Sequence, residues 1–328
     1  MAGVITIAKK ELMDIFSEKK FLLIFGTLLI VVLVSTFQGA LSYSQSQSQT
    51  GTIISGSGTI PGGEVPGDTP RPVRIGSAQG LSMALSSMIT NFSLVGGVLA
   101  LAISFDTING ERQTGSMKTL LSYPIYRDKI VYGKYLGGLA VISVVSAITF
   151  VAGMGVFVGF SGLALTVDTM IRFVMFFLVS LVYMAIFLAV GLLLSIAMPQ
   201  PATSLLASMI VWLASIQLIP NIGYAIAQIL YPVRIRFQGG APSFTSQPGF
   251  ETIRTIISAL SPSTTYEQIV NNLLTTNRMQ FSSGAIALVS QSVDQSLLVS
   301  APYILYFAVI LVAIFAGAYV LFMRQEIR

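Results

Sequence analysis

The sequence predicts an all-α polytopic membrane protein, with six transmembrane helices, an amphipathic interfacial helix ahead of the first and a helical external segment before the last. Three observations predict it. Apolar stretches at residues 21–41, 81–105, 135–160, 173–198, 202–219 and 303–323 contain no Asp, Glu, Lys or Arg. Each can cross a hydrocarbon core that needs about 20 helical residues, and a lipid-exposed backbone must satisfy its own hydrogen bonds. The composition, 54% hydrophobic and 9% charged with mean hydropathy +0.80, excludes a soluble domain, which carries about 25% charged residues. The basic residues also divide unevenly between the two sides of the alternation.

Taken in order, residues 1–20 form the amphipathic cytoplasmic helix. Val4, Ile5, Ala8, Leu12, Ile15 and Phe16 fall on one arc, with Lys9, Lys10, Asp14 and Glu18 opposite. Such a helix lies in the headgroup plane or packs on another subunit. Residues 21–41 (TM1) are expected to remain as an anchor, because the run exceeds the ~7–15 apolar residues of a signal peptide and no A-x-A-like site follows. Residues 42–80, rich in Ser, Gln and Gly, bury too little apolar area to order and read as a flexible external loop. TM2 (81–105) leads to a cytoplasmic loop, 106–134, followed by TM3 (135–160), TM4 (173–198) and TM5 (202–219). The segment 220–302 is external. In it Thr264-x-x-Glu267 forms a capping box after Pro262, with Tyr266, Ile269, Val270, Leu273 and Leu274 at helical spacing, and 251–260 is a second helix candidate. These helices cover the mouth of the spans or pack on each other as a small cap. TM6 (303–323) ends in a short tail, 324–328.

Lys and Arg set the orientation. Lys9, Lys10, Lys19, Lys20, Arg112, Lys118, Arg127, Lys129, Lys134, Arg324 and Arg328 lie on one side in short segments. Arg71, Arg74, Arg172, Arg234, Arg236, Arg254 and Arg278 lie on the other, in longer ones. The positive-inside rule places the first group, and with it both termini, in the cytoplasm. A net charge of +5 and a pI of 9.4 do not indicate nucleic acid, because the basic residues flank spans and form no basic face.

Several chemistries are excluded. No ionisable group lies at mid-span to bind a coupling ion; Asp106 and Arg172 sit at span ends. Asn91 and Gln217 are the bulkiest polar groups within apolar runs, candidates for either an interhelical hydrogen bond or a pathway contact. Gly155-x-x-x-Gly159 is a small-residue contact face of low specificity. With neither His nor Cys there is no Ser-His pair, thiol nucleophile or Cys/His metal site. Gly133-Lys134 is followed by Tyr135 and lacks a glycine five residues earlier, so it is no P-loop. Energy for uphill movement must come from another polypeptide.

The loop 106–134 is the most informative segment. Gly110 and Gly115 permit backbone breaks, Thr114 or Ser116 can cap a new helix, and the helical stretch from Met117 stops before Pro124. Met117, Leu120 and Leu121 then share a face and need a partner surface, either a separate protein or the chain's own N-terminal helix.

The run Glu111-Arg112-x-x-Gly115-Ser116-x-x-x-Leu120-Leu121-Ser122-x-Pro124-x-x-Arg127, continuing to Gly133-Lys134, resembles the loop of type-2 membrane subunits of ATP-binding-cassette (ABC) transporters. Ser116 stands where Thr is commoner. The six-span plan and Leu260-Ser261-Pro262 followed by Tyr266 extend the resemblance along the chain. It is most similar to the branch that includes permeases of nitrous-oxide-reductase maturation, although the long first external loop departs from compact members. The resemblance implies a coupling helix, Thr114 to Pro124, docking on a separate P-loop ATPase, with Glu111 fixing its start and Arg112, Thr114, Gly115, Met117, Leu120, Leu121, Pro124 and Arg127 as coupling residues. It further implies no cofactor on this chain, ATP and Mg on the partner ATPase, and a second permease copy or close paralogue in the plasma membrane. The expected function is half of an export pathway, with no active site. The other readings are a motor-independent channel or carrier for an uncharged or apolar solute, and a membrane scaffold for a cytosolic partner.

Overall fold

The computed structural model describes residues 2–48, 80–116, 127–162, 166–232, 234–238, 241–245, 248–275, 277–282 and 285–325. The helices are α1 (Ala2–Ser17), α2 (Lys19–Ser48), α3 (Gly80–Ser104), α4 (Asn109–Thr114), α5 (Arg127–Ser161), α6 (Val167–Ala197) and α7 (Pro201–Leu213). A π turn, Ala214–Leu218, joins α7 to α8 (Ile219–Leu230). Then come α9 (Pro248–Ser258), α10 (Pro262–Leu274) and α11 (Val293–Arg324). Six helices are long and apolar enough to cross a membrane: Phe21–Gln45, Leu85–Thr114, Asp128–Ser161, Val167–Ala197, Pro201–Leu230 and Val293–Arg324. The fold is thus the all-α polytopic one that hydropathy predicts.

Two small ribbons, absent from the sequence reading, interrupt the segment before the last span. β1 (Arg234–Gln238) pairs antiparallel with β2 (Ala241–Thr245), and β3 (Asn277–Ser282) with β4 (Ala285–Ser290). Each connection is two residues long and contains glycine, the spacing that favours hairpins.

α6 is the centre of the bundle. Its most apolar stretch is 67% buried, and every residue from Tyr183 to Leu192 is buried. α3, α5, α10 and α11 surround it, and α2 packs on α3 and α5. Aromatic rings fill the middle, with Phe150 edge-on to Phe92 at 5.2 Å and to Phe176 at 4.7 Å.

Several helices run past the predicted bounds. α2 continues to Ser48 because Ser42 and Ser44 bond back to the Gln38 and Leu41 carbonyls, so the first residues of the expected loop are helical. The rest of that loop, 49–79, lies outside the described residues. α11 begins at Val293 under a full Ser292/Gln295 capping box, and carries Pro302 inside the helix. The fifth span does not stop at Pro220. Ile219 N donates to Ala214 O, one residue further back than in an α-helix. The next donor in that register would be Pro220, which has no N–H, so the chain passes the proline without a clash and resumes as α8.

The two helices of the segment before the last span have different roles. α10 inserts among α3, α6 and α11, whereas α9 packs on α8. Tyr266, Ile269, Val270, Leu273 and Leu274 are buried, as their spacing predicts. The cap differs: Ser261 is the N-cap, accepting from Thr264 N at 3.2 Å, and Pro262 occupies the first turn.

Candidate functional site

Lys134 occupies the second turn of α5, between Gly133 and Gly137. α1 crosses so closely there that a β-carbon on Gly133 would stand 2.7 Å from Ile7 Cγ2, and one on Gly137 2.7 Å from Glu11 Cβ. This approach brings the Glu11 carboxylate to 3.1 Å from Lys134 Nζ. From α4, Glu111 reaches the same nitrogen at 3.0 Å. The Lys134 side chain is only 2% exposed. One ammonium thus serves two carboxylates from different elements, and removing it would leave both facing each other out of water. Burial raises the Glu11 carboxyl above its ordinary value of 4.5; Lys134 opposes the shift and Glu111 adds to it.

α4 is clamped on its other side to the ends of α6 and α11. The Ile108 and Asn109 backbone N–H groups donate to Ser195 Oγ at 3.0 and 3.2 Å, which satisfies two donors at the start of the helix. Arg112 donates to Ile196 O at 3.3 Å and to Gln325 Oε1, and Gln325 Nε2 donates to the same Ile196 carbonyl at 2.9 Å. Glu111 and Arg112 are sequence neighbours about 100° apart on the helix, so one faces α1 and α5 and the other α6 and α11. Thr114 is the last residue of α4; its hydroxyl bonds back to Gly110 O at 3.2 Å and meets Ser116 Oγ at 2.6 Å. It closes this helix; the stretch that Thr114 or Ser116 was expected to cap lies outside the described residues. Gly110 is helical, contrary to the expected break. Gly115 makes the break, left-handed at φ 76° with its N–H on Arg112 O, and open space where a β-carbon would sit, so conformation alone demands glycine.

Of the other residues expected to take part in coupling, Met117, Leu120, Leu121 and Pro124 lie outside the described residues, and Arg127 opens α5. A cavity of about 330 Å³ opens beside the triad, lined by Glu11, Asp14, Glu18, Asp106 and Glu111 around the single ammonium of Lys134. Its field is negative. Among the described residues no group of three or more acidic side chains is arranged to hold a metal ion.

Sequence reasoning singled out Glu111 and Arg112 but missed Glu11, and it used Lys134 for orientation and as the end of the loop motif without giving it a partner. The signal was present. Glu11 lies three residues from Ala8 and four from Ile15, so it interrupts the apolar arc of α1, and an acid in an apolar stripe implies a buried base. Ile5, assigned to that arc, is 67% exposed, while Ile7 is buried.

Within the spans Asn91 Nδ2 donates to Ser35 Oγ at 2.6 Å, tying α3 to α2. Gln217 is exposed in the π turn. A β-carbon at Gly155 or Gly159 would meet nothing within 4 Å among the described residues.

The opposite end of the bundle is closed by hydroxyl groups. Tyr183 OH donates to Ser93 O at 2.6 Å and meets Ser263 Oγ at 3.2 Å, and its ring stacks on Tyr266 at 4.5 Å. Tyr266 bonds Ser180, and both tyrosines are fully buried. Ser215, whose carbonyl is left without an N–H by Pro220, accepts from Ser261 Oγ and bonds Ser263 Oγ at 2.9 Å. Arg172, 1% exposed, pairs with Asp168 at 2.8 Å and donates to Leu273 O, Ser296 Oγ and Gln291 O, fastening α6 to the end of α10 and the start of α11.

A six-helix apolar bundle, clamped at one end through a charged helix–loop segment, defines a multi-pass membrane protein. The family profile described as ABC-2 family transporter protein matches residues 5–327. The chain belongs to that family: it is an ABC-2-type permease, the transmembrane subunit of an ABC transporter and not its ATPase. No curated protein matches the chain.

Proposed function

We propose that this permease is an exporter that forms half of a translocation pathway and takes its energy from a separate P-loop ATPase docked on the segment between the second and third spans. The observation that carries the proposal is the grip on α4: Glu111 on Lys134, which Glu11 also holds, and Arg112 on Ile196 and Gln325. A push on the loop that follows α4 then reaches α1, α5, α6 and α11 together. ATP and Mg belong to the ATPase, whose closure shifts the bundle between inward- and outward-accessible states by differential affinity. The terminal side carries the basic flanks of the spans and faces the cytoplasm of a plasma membrane. Membership of the nitrous-oxide-reductase-maturation branch rests on the loop motif alone.

Co-expression with the neighbouring ATPase tests this reading. The permease should capture the ATPase from detergent extracts, and Leu120→Asp with Leu121→Asp should abolish capture without loss of folded permease. Flux through the purified permease alone, or ATPase capture with no ATP-dependent movement of any solute, would overturn it.

A further inference from the structure

Resting on the coupling proposal, we infer that α4 is a two-position element and that the carboxamide of Asn109 sets the balance between its positions. Asn109 is fully buried. Its backbone N–H is satisfied by Ser195 Oγ at 3.2 Å, yet neither Oδ1 nor Nδ2 has a hydrogen-bond partner among the described residues. Glu111 Oε2 and Arg112 Nε are buried without a partner as well. Native structures leave only a few such atoms in about a hundred residues; here four fall on one six-residue helix. The backbone of α4 is paired by contrast. Gly110 N donates to Asp106 O at 2.8 Å, Arg112 N to Ile108 O at 3.1 Å and Gly115 N to Arg112 O at 3.3 Å. The helix is well formed, and the misfit lies in how its side chains are seated.

The surroundings provide for a second position. α4 hangs between two non-helical joints, the turn at 105–108 and left-handed Gly115, so it can move as a unit without breaking a helix. On one flank Asp106, Gly110, Glu111 and Thr114 border the cavity of about 330 Å³, which gives the helix room to roll; Asn109 is not among the residues lining it. A roll into that space draws Asn109 out of its packing toward the aqueous surface, where water pairs both amide atoms. The ion pair of Glu111 with Lys134 and the bonds of Arg112 to Ile196 and Gln325 hold the present position. The amide opposes them, because a buried polar group without a partner costs free energy that an apolar side chain of the same branching does not. Fastening and misfit together bring the two positions close in energy, so closure of the ATPase has only a small difference to overcome.

Asn109→Leu keeps the branching and removes the amide, and it should raise the thermal midpoint of the permease in detergent. Ile108, 0% exposed, supplies the second readout. The chain has no cysteine, so Ile108→Cys reports without background, and Asn109→Leu should slow its reaction with a thiol reagent about tenfold. Asn109→Asp, charged at the same place, should lower the midpoint and speed the labelling. With the ATPase present, the Asn109→Leu permease should keep capture and lose about tenfold in coupled ATP turnover. A lower midpoint for Asn109→Leu, or labelling as fast as with Asn109, would overturn the inference. Where Asn109→Leu does not fold, Asn109→Ala answers through the labelling rate: a slower rate supports the two positions, and an equal or faster one sinks them. Midpoint and labelling need no ATPase, so they decide the matter even if the docking proposal fails. Unchanged coupled turnover in a stabilised Asn109→Leu permease overturns the role of α4 and leaves docking intact.

Discussion

Lys134 and Glu111, 23 residues apart in sequence, stand 3.0 Å apart in a place where the lysine is 2% exposed. The contact joins the first turns of the third span to the short helix α4 that follows the second span. Glu11 reaches the same nitrogen from a third element. A buried ammonium shared in this way is held by both partners or by neither, which makes it a sensitive point for substitution.

Lys134→Met should keep the volume and remove the charge. The two carboxylates left behind then cost about 3 kcal/mol or more, read as a drop in thermal midpoint in detergent. Adding Glu11→Gln and Glu111→Gln should recover much of that stability. Coupled ATP turnover should not recover, because a neutral triad no longer ties α1 and α4 to the third span. Restored coupling in the triple variant would reduce Lys134 to a packing residue.

Acidity acts on the same site with a definite sign. Burial raises the folded Glu11 carboxyl above 4.5, so over the window that opens there the folded chain holds a proton the unfolded chain has released. Stability from this group is therefore greatest below that window and falls as pH rises through it. Lys134, Glu111 and Lys10 face it, and their charges move the window without reversing the slope. The difference in thermal midpoint between the wild type and Glu11→Gln should change as the pH rises above the ordinary carboxylate range, in the direction of relatively greater wild-type stability at the acid end. A constant difference would show that Glu11 does not titrate there.

Arg172 joins three elements at the other end of the bundle through its ion pair and its bonds to three carbonyls and a hydroxyl. Arg172→Leu should destabilise by about 3 kcal/mol. Arg172→Lys should recover only part of this, since a point charge cannot span the fork of acceptors. Limited proteolysis should cut first between α9 and the start of α11.

Tyr183→Phe removes one hydroxyl and leaves the ring stacked on Tyr266. The Ser93 carbonyl loses its donor, a cost of about 1–2 kcal/mol. The seal should loosen, so Ser263→Cys should react faster with a membrane-impermeant thiol reagent on the Tyr183→Phe background. Equal rates on both backgrounds would mean that the tyrosine hydroxyl does not hold the closure.

Hydropathy located all six spans because lipid leaves the backbone no other arrangement, and the buried stripe of α10 was legible from its spacing. The ends of the elements were not. Pro220 signalled a stop only because the π turn before it leaves no mark in the sequence, and Ser42 to Ser48 stayed helical through side-chain bonds that composition does not reveal. The ribbons were visible in retrospect, in the alternation Arg234-Ile235-Arg236-Phe237 ahead of Gly239-Gly240. At the clamp, Glu111 and Arg112 were found by resemblance. Glu11, Ser195 and Gln325 were not, because their role depends on chain segments that only the fold brings together.

The bond from Ser261 to the Ser215 carbonyl has a further consequence. That oxygen has no amide of its own, so α10 supplies what Pro220 withholds. Any rearrangement that draws α10 away leaves a bare dipole facing hydrocarbon, an unstable condition unless water moves in behind it. This part of the permease therefore cannot open dry: wherever α10 parts from the fifth span, solvent must enter with the movement.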